Sequence, residues 1–306
     1  MDSSPPAAAP TLTGRRLYLA LGYMLCMGLI WGLQFSLAKI AYASGIHPFG
    51  FTLAISVSAA CLLAAVARFR GASLPLARRF WVYTLIAGAT AIAIPNSLAV
   101  LVVGHVPAGL AAVLNTLSPL MTYAMALGLG MEKRHSLRLL GLGCGLAGAL
   151  LVVGPRASLP DPDLLPWVLA CLLMPFFYAA SNIYIAKARP DGVDSIALAA
   201  TMQIGAAACI LPLAAGLGVW HLPIPPQNNG DWALLLQCAL AGIGSLLFFE
   251  TLRLAGPVFF SQTGFLVTLA GVFWGWLLFG EQHSLYIWAA MASIFVGLAL
   301  VTRAGR

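Results

Sequence analysis

Ten stretches of this chain are apolar over about the length needed to cross a bilayer, roughly 20 residues each, and little sequence is left between them. They are Leu17–Tyr42, Phe49–Ala67, Phe80–Val103, Ala108–Gly130, Leu137–Val153, Leu164–Ala186, Ile196–Val219, Trp232–Leu252, Val258–Phe279 and Leu285–Val301. Only 8% of the residues are charged and 61% are apolar, whereas water-soluble domains carry roughly 25% charged residues. The solvent for most of this chain is therefore lipid. Lipid offers no partner for a backbone N–H or C=O, so each run has to close its own hydrogen bonds as a helix. The reading is an all-α integral membrane protein of ten transmembrane helices.

The basic residues orient it. With the N-terminus inside, 14 of the 16 Lys and Arg fall in cytoplasmic segments, and only Lys39 and Arg156 fall outside. That bias follows the positive-inside rule and predicts cytoplasmic termini. It also accounts for a net charge of +7 without a nucleic-acid partner, because the cations are scattered over short connections. The first run is too long for a signal-peptide core. Residues 1–16 read as a disordered cytoplasmic tail, and residues 303–306 as a second short tail.

The chain is also written twice. At an offset of 149, Leu117 falls on Leu266, Glu132 on Glu281 and Gly148 on Gly297; at 148, Gln34 falls on Asn182 and Lys39 on Lys187. The two copies, residues 17–154 and 164–302, flank a linker at 155–163 rich in Pro and Asp. Each copy holds five runs, an odd number, so the second enters the membrane from the opposite side. Inverted five-helix repeats are a plan of secondary transporters, with the substrate site at their interface near the middle of the bilayer.

WGLQF in the first run, L-x-P followed by Glu at the end of the fourth, and R-x-x-G opening the fifth resemble the drug/metabolite transporter (DMT) superfamily, and within it the EamA-like families. The resemblance implies a central cavity lined mainly by the third, fourth, eighth and ninth helices with the first and sixth. It further implies alternating-access transport of small metabolites across a bacterial inner membrane, commonly as export, with amino acids the leading class. Drug, nucleobase or nucleoside, and nucleotide-sugar carriers are the neighbouring possibilities. One departure stands out: the Pro of the fourth helix is Pro119, a candidate hinge, but its counterpart in the ninth is Thr268.

Polar side chains within the runs carry the chemistry, since each needs protein or cavity water. Gln34, Asn96 and Asn115 lie on the external side of their runs, and Asn182, Ser245 and Gln262 on the cytoplasmic side of theirs. These six are the expected substrate-cavity residues, framing one cavity in two layers. Trp31 and Tyr178 are candidates for an apolar wall beside them. The competing reading is helix–helix glue, worth about 0.6 kcal/mol per residue.

No carboxylate lies at the middle of a run, and all five His fall in loops or at helix ends. Facilitated movement is thus favoured over proton coupling. Glu132 and Glu281 end equivalent helices and read as caps or loop anchors. Glu250, three residues before Arg253, reads as half of a surface pair. The six cysteines show no C-x-x-C spacing, so no metal or other cofactor is expected. Gly28/Gly32, Gly141/Gly145 and Gly271/Gly275 are small-residue pairs for close packing, the second a possible homodimer face on an otherwise monomeric protein. The partners expected are thus a small-molecule substrate and the lipid bilayer. No phosphate-binding loop, H-E-x-x-H helix or intramembrane Ser–His pair is present, which weighs against a pump or an intramembrane enzyme. A receptor or scaffold would not require inverted halves.

Overall fold

The structure, a computed structural model, describes residues 15–75, 77–132, 134–153, 162–260 and 263–303. Most of the expected tails and linker, and Gln262, lie outside the described residues. Arg15 and Arg16, read as tail, belong to the first helix. Among the described residues the chain is helical throughout, without a strand.

In chain order the helices are α1 (Arg15–Ala43) and α2 (Pro48–Phe69), then α3 (Trp81–Val103) and α4 (Ala108–Gly128). They continue with α5 (Ser136–Val153), α6 (Leu165–Ala188), α7 (Ser195–Gly216) and α8 (Asn229–Phe260). The last two are α9 (Thr263–Phe279) and α10 (Leu285–Arg303). Among the described residues seven helices are long and apolar enough to cross a membrane, and Ser136–Val152, Thr263–Phe279 and Leu285–Val301 are shorter apolar helices. Large apolar side chains such as Leu140, Leu146, Leu150, Leu211, Leu213 and Trp276 stand exposed around the bundle, as lipid-facing residues of a multi-pass membrane protein do.

Three helices are broken where the sequence weakens the hydrogen-bond ladder. In α3 a π-helical turn, Ala89–Ala93, precedes Pro95, which has no N–H to donate. In α4 the first segment ends at Asn115 and the second starts at Ser118, with Pro119 in its first turn. By contrast α9 runs unbroken through Thr268. In α6 the break is at Leu172. One boundary differs from the sequence reading: α8 continues to Phe260 instead of ending near Leu252. The sequence there, Gly256–Pro257, reads as a turn. In an apolar surrounding, backbone that leaves the helix strands its N–H and C=O groups, which favours continuing the helix across those turn signals.

Close packing follows the small residues. A side chain at Gly28 would meet Cβ of Leu266 at 2.6 Å, and one at Gly32 would meet Cβ of Ala270 at 2.6 Å, so α1 lies against α9. The principal neighbours are α5 with α10, α2 with α7, and α1 with α8 and α9; α2 meets α8, α3 meets α6 and α7, and α4 meets α6 and α9. Exchanging α1–α5 for α6–α10 returns these principal pairs, whereas the contacts of α1 with α3 and α4 have no comparable counterpart of α6 with α8 and α9 among the described residues.

The two ends of the bundle are not equivalent. At the end carrying Glu281, the last turns of α1 and α3 and the first segment of α4 form a dry cluster that includes Phe35, Ala38, Val102, Val103, Leu110 and Leu114. At the end carrying Glu132, the second segment of α6 makes no comparable packing against α8 or α9 among the described residues.

Candidate functional site

A cavity of about 600 Å³ lies between the two groups of helices, within the usual range of roughly 300–1,000 Å³ for small-ligand sites. Gln34, Asn96, Asn115, Asn182 and Ser245 line it, together with Trp31, Tyr178 and Pro119. The structure thus gathers every described candidate of the sequence reading around one space. It adds Gln203 on α7, Gln237 on α8, and Thr116, Ser118 and Thr263. Ile55 on α2 and Leu298 on α10 also reach the wall, so it draws on more helices than the resemblance implied.

The lining is mainly apolar, set with amides and hydroxyls, and carries no charge among the described residues. Some of its groups are already engaged. Tyr178 Oη donates to Asn96 Oδ1 at 3.4 Å, and Asn182 Nδ2 donates to Thr122 Oγ1 at 3.1 Å. Ser245 donates to the Ala241 carbonyl of its own helix at 2.9 Å, which leaves it the weakest of the candidate contacts. Three groups lack any partner among the described residues: Asn115 Oδ1, Gln237 Oε1 and Thr263 Oγ1. Gln237 is only 5% exposed. A buried polar atom without a partner costs about 1–3 kcal/mol unless solvent or a ligand meets it, so these three mark where a solute would form hydrogen bonds.

One wall is aromatic. Trp31 stands 6.2 Å from both Phe248 and Phe260, and those two rings meet edge to face at 4.8 Å. A side chain at Gly244 would lie 2.7 Å from Trp31 Nε1, so the glycine is what lets the indole sit flush on α8. Amides at one side and aromatic rings at the other suit a solute with N–H or C=O groups and an apolar part.

The cavity opens toward the Glu132 end, where its lining residues Asn182 and Pro119 are exposed. The other end is shut by a compact polar lock. Glu281 Oε1 accepts from Lys39 Nζ at 2.7 Å and from the Ala108 N–H at 2.7 Å, and its Oε2 accepts from the Gly109 N–H at 2.9 Å. The carboxylate therefore caps the N-terminus of α4, where two orphan N–H groups and the helix dipole favour a negative charge. The fold delivers Glu281 there by Gly280, whose φ of +64° reverses the chain at the end of α9. A side chain at Gly275 would collide with the carboxylate.

His283 packs over Gly109 beside this lock, and neither ring nitrogen has a partner among the described residues. Burial holds its pKa below the ordinary value of 6.5. Behind the lock, Thr116 and Thr268 share a hydrogen bond between their hydroxyls. The sequence reading of Glu281 as a cap named the right kind of role, but its partners on α1 and α4 had no local signal. At the opposite end Arg138 Nη1 donates to Glu132 Oε2 at 2.7 Å. Glu250 takes Arg70 Nη2 at 2.8 Å, a partner on α2 that its spacing from Arg253 does not announce.

A helical membrane bundle around a cavity set with amides and open at one end has the architecture of a solute carrier. Comparison with known proteins supplies the family: the profile of the EamA-like transporter family matches residues 18–154 and again residues 165–303, and the chain belongs to that family. It is 26% identical over 296 residues to an uncharacterized inner membrane transporter of Escherichia coli K12, YedA, covering 94% of this chain and 92% of that one. It is 27% identical over 293 residues to rat solute carrier family 35 member E4, covering 92% and 80%. A solved crystal structure superposes with a TM-score of 0.64 at 18% identity, over 95% of this chain and 99% of the other, which establishes likeness of fold.

Proposed function

We propose that this protein is a secondary carrier that exports small neutral or zwitterionic metabolites, neutral and aromatic amino acids first, across a bacterial inner membrane by alternating access. The observation that carries this reading is the cavity: uncharged, ringed by amides, walled by Trp31, Phe248 and Phe260, and closed at one end only. A solute with a fixed net charge would need a counter-charge once the site closes around it, and the described lining offers none. A zwitterion meets amide oxygens with its ammonium and helix N–H groups with its carboxylate. Two inverted five-helix halves, residues 17–154 and 164–302, frame the cavity in this reading. The exchange-symmetric set of principal helix pairs supports that plan. With both termini in the cytoplasm, the Glu281 end is external and the site faces the cytoplasm, ready to load an export substrate. Gln34, Asn96, Asn115, Asn182 and Gln262 are then substrate contacts, and Pro119 is the hinge of α4.

Counterflow in proteoliposomes tests this. Preloaded unlabelled leucine or phenylalanine is expected to drive uptake of the labelled amino acid, with lysine and aspartate ineffective. Absence of flux for every neutral amino acid, nucleobase and sugar derivative sinks the carrier reading.

A further inference from the structure

The lock at the Glu281 end is written into the sequence at both ends of the bundle but built at only one. Lys187 stands 148 residues after Lys39, and Glu132 stands 149 before Glu281. Pro107 falls on Pro257 at an offset of 150, so the segment matching Ala108–Gly109, whose N–H groups Glu281 caps, is Val258–Phe259. At the Glu281 end, all the parts are joined. At the other end they are apart. Glu132 is held by Arg138, and Lys187 is exposed on the last turn of α6 with no ion-pair partner among the described residues. Val258 and Phe259 lie inside α8, where backbone N–H groups serve the helix. At offset 149 Arg138 falls on Ile287, so no cation competes for Glu281.

We infer that Glu132 is the cap of a second, inner lock, with Lys187 as its counter-ion and Arg138 as the residue that parks it while that lock is open. The inference rests on the alternating-access reading above. Closing the inner end requires α8 to stop before residue 256, as α3 stops at Val103 ahead of α4. That frees N–H groups at the new helix start for Glu132, which exchanges Arg138 for Lys187. The outer trio of Glu281, Lys39 and the α4 N-terminus parts in the same movement. One carboxylate is then capping a helix start at any moment, and the two ends cannot both be open at low cost. Glu132, Lys187 and Arg138 act on access to the cavity, as positioning residues, and touch no solute.

Site-directed crosslinking tests this without any substrate. In a background with the six native cysteines replaced, His283→Cys with Gly109→Cys, two positions in contact beside the lock, reports the outer end, and Met131→Cys with Phe259→Cys reports the inner one, so that both carboxylates are kept. The outer pair is expected to crosslink readily. The inner pair is expected to crosslink weakly, rising at least threefold when Glu281→Gln or Arg138→Ala is added. An inner yield unmoved by both substitutions, in protein whose outer pair crosslinks, overturns the inference. So does failure of the outer pair in folded protein. If the inner yield rises as expected but proteoliposomes carry no solute, the locks stand and the transport reading fails.

Discussion

Gly141 and Gly297 meet backbone to backbone: a side chain on Gly141 would stand 2.6 Å from the Gly297 carbonyl oxygen, and one on Gly297 2.5 Å from that of Gly141. The contact binds α5 to α10 inside one chain, so the face that the Gly141/Gly145 spacing offered for a homodimer is already occupied. Gly141→Leu or Gly297→Val must push the helices apart, at a cost of about 1–3 kcal/mol. Thermal melting in detergent is expected to show a clear drop for either. Gly143→Ala, with nothing within 4 Å of the added carbon, is expected to melt like the parent, and equal drops for all three would refute the close approach.

How much of this was legible in the sequence depends on how local each signal is. Gln34, Asn96, Asn115 and Asn182 could be picked out because an amide within an apolar run is anomalous wherever it points. Gln203 and Gln237 carry the same signal, but on α7 the helix was not expected to reach the cavity, and Gln237 stands near the start of α8, where a polar residue reads as the end of a span. Glu281 could be read as a cap or loop anchor from the position it shares with Glu132 at the end of equivalent helices. Its partners could not, because Lys39 and Ala108 are 242 and 173 residues away and only the fold brings them together. The extent of α8 was misread because Gly256–Pro257 is an ordinary turn signal, and the need to satisfy the backbone in an apolar surrounding outweighs it here.

Releasing the outer lock has a predictable size. Glu281→Ala leaves two N–H groups of α4 without an acceptor and Lys39 without a partner, although at 26% exposure the lysine retains some water. The expected loss is about 2 kcal/mol of closure at that end, which is roughly a 30-fold shift toward the open form. Reaction of Asn115→Cys with an impermeant maleimide from the Glu281 side is expected to accelerate accordingly. An unchanged rate would mean that the dry cluster around Leu110 and Leu114, and not the carboxylate, keeps the end shut.

Gln237 separates binding from folding. Its Oε1 has no partner among the described residues, so Gln237→Leu removes an unmet buried acceptor and is expected to leave the melting temperature unchanged or raised. If a solute uses that oxygen, the same change costs one hydrogen bond of about 0.5–1.5 kcal/mol, hence about a 2- to 10-fold rise in KM. Asn96→Ala, Asn115→Ala and Asn182→Ala are expected to lower transport at equal membrane abundance. Parallel losses of folded protein and transport would identify the amides as helix glue.

His283 makes the outer lock sensitive to acid. It faces Glu281, which favours its protonated form, and Lys39, which opposes it, while burial, the largest influence, holds its pKa below 6.5. When the lock opens, the ring gains water and its pKa returns toward 6.5. The open form therefore binds more protons than the closed one at mildly acid pH, and by linkage closure weakens as pH falls. Closure is at full strength above about pH 6.5 and declines as pH drops through that value toward the depressed pKa. Labelling of Asn115→Cys from the Glu281 side, followed from pH 7.5 to 5.0, is expected to speed up in acid. His283→Gln is expected to flatten the profile, because an amide takes up no proton in this range. A profile as steep in His283→Gln as in the parent would show that His283 is not the group responsible.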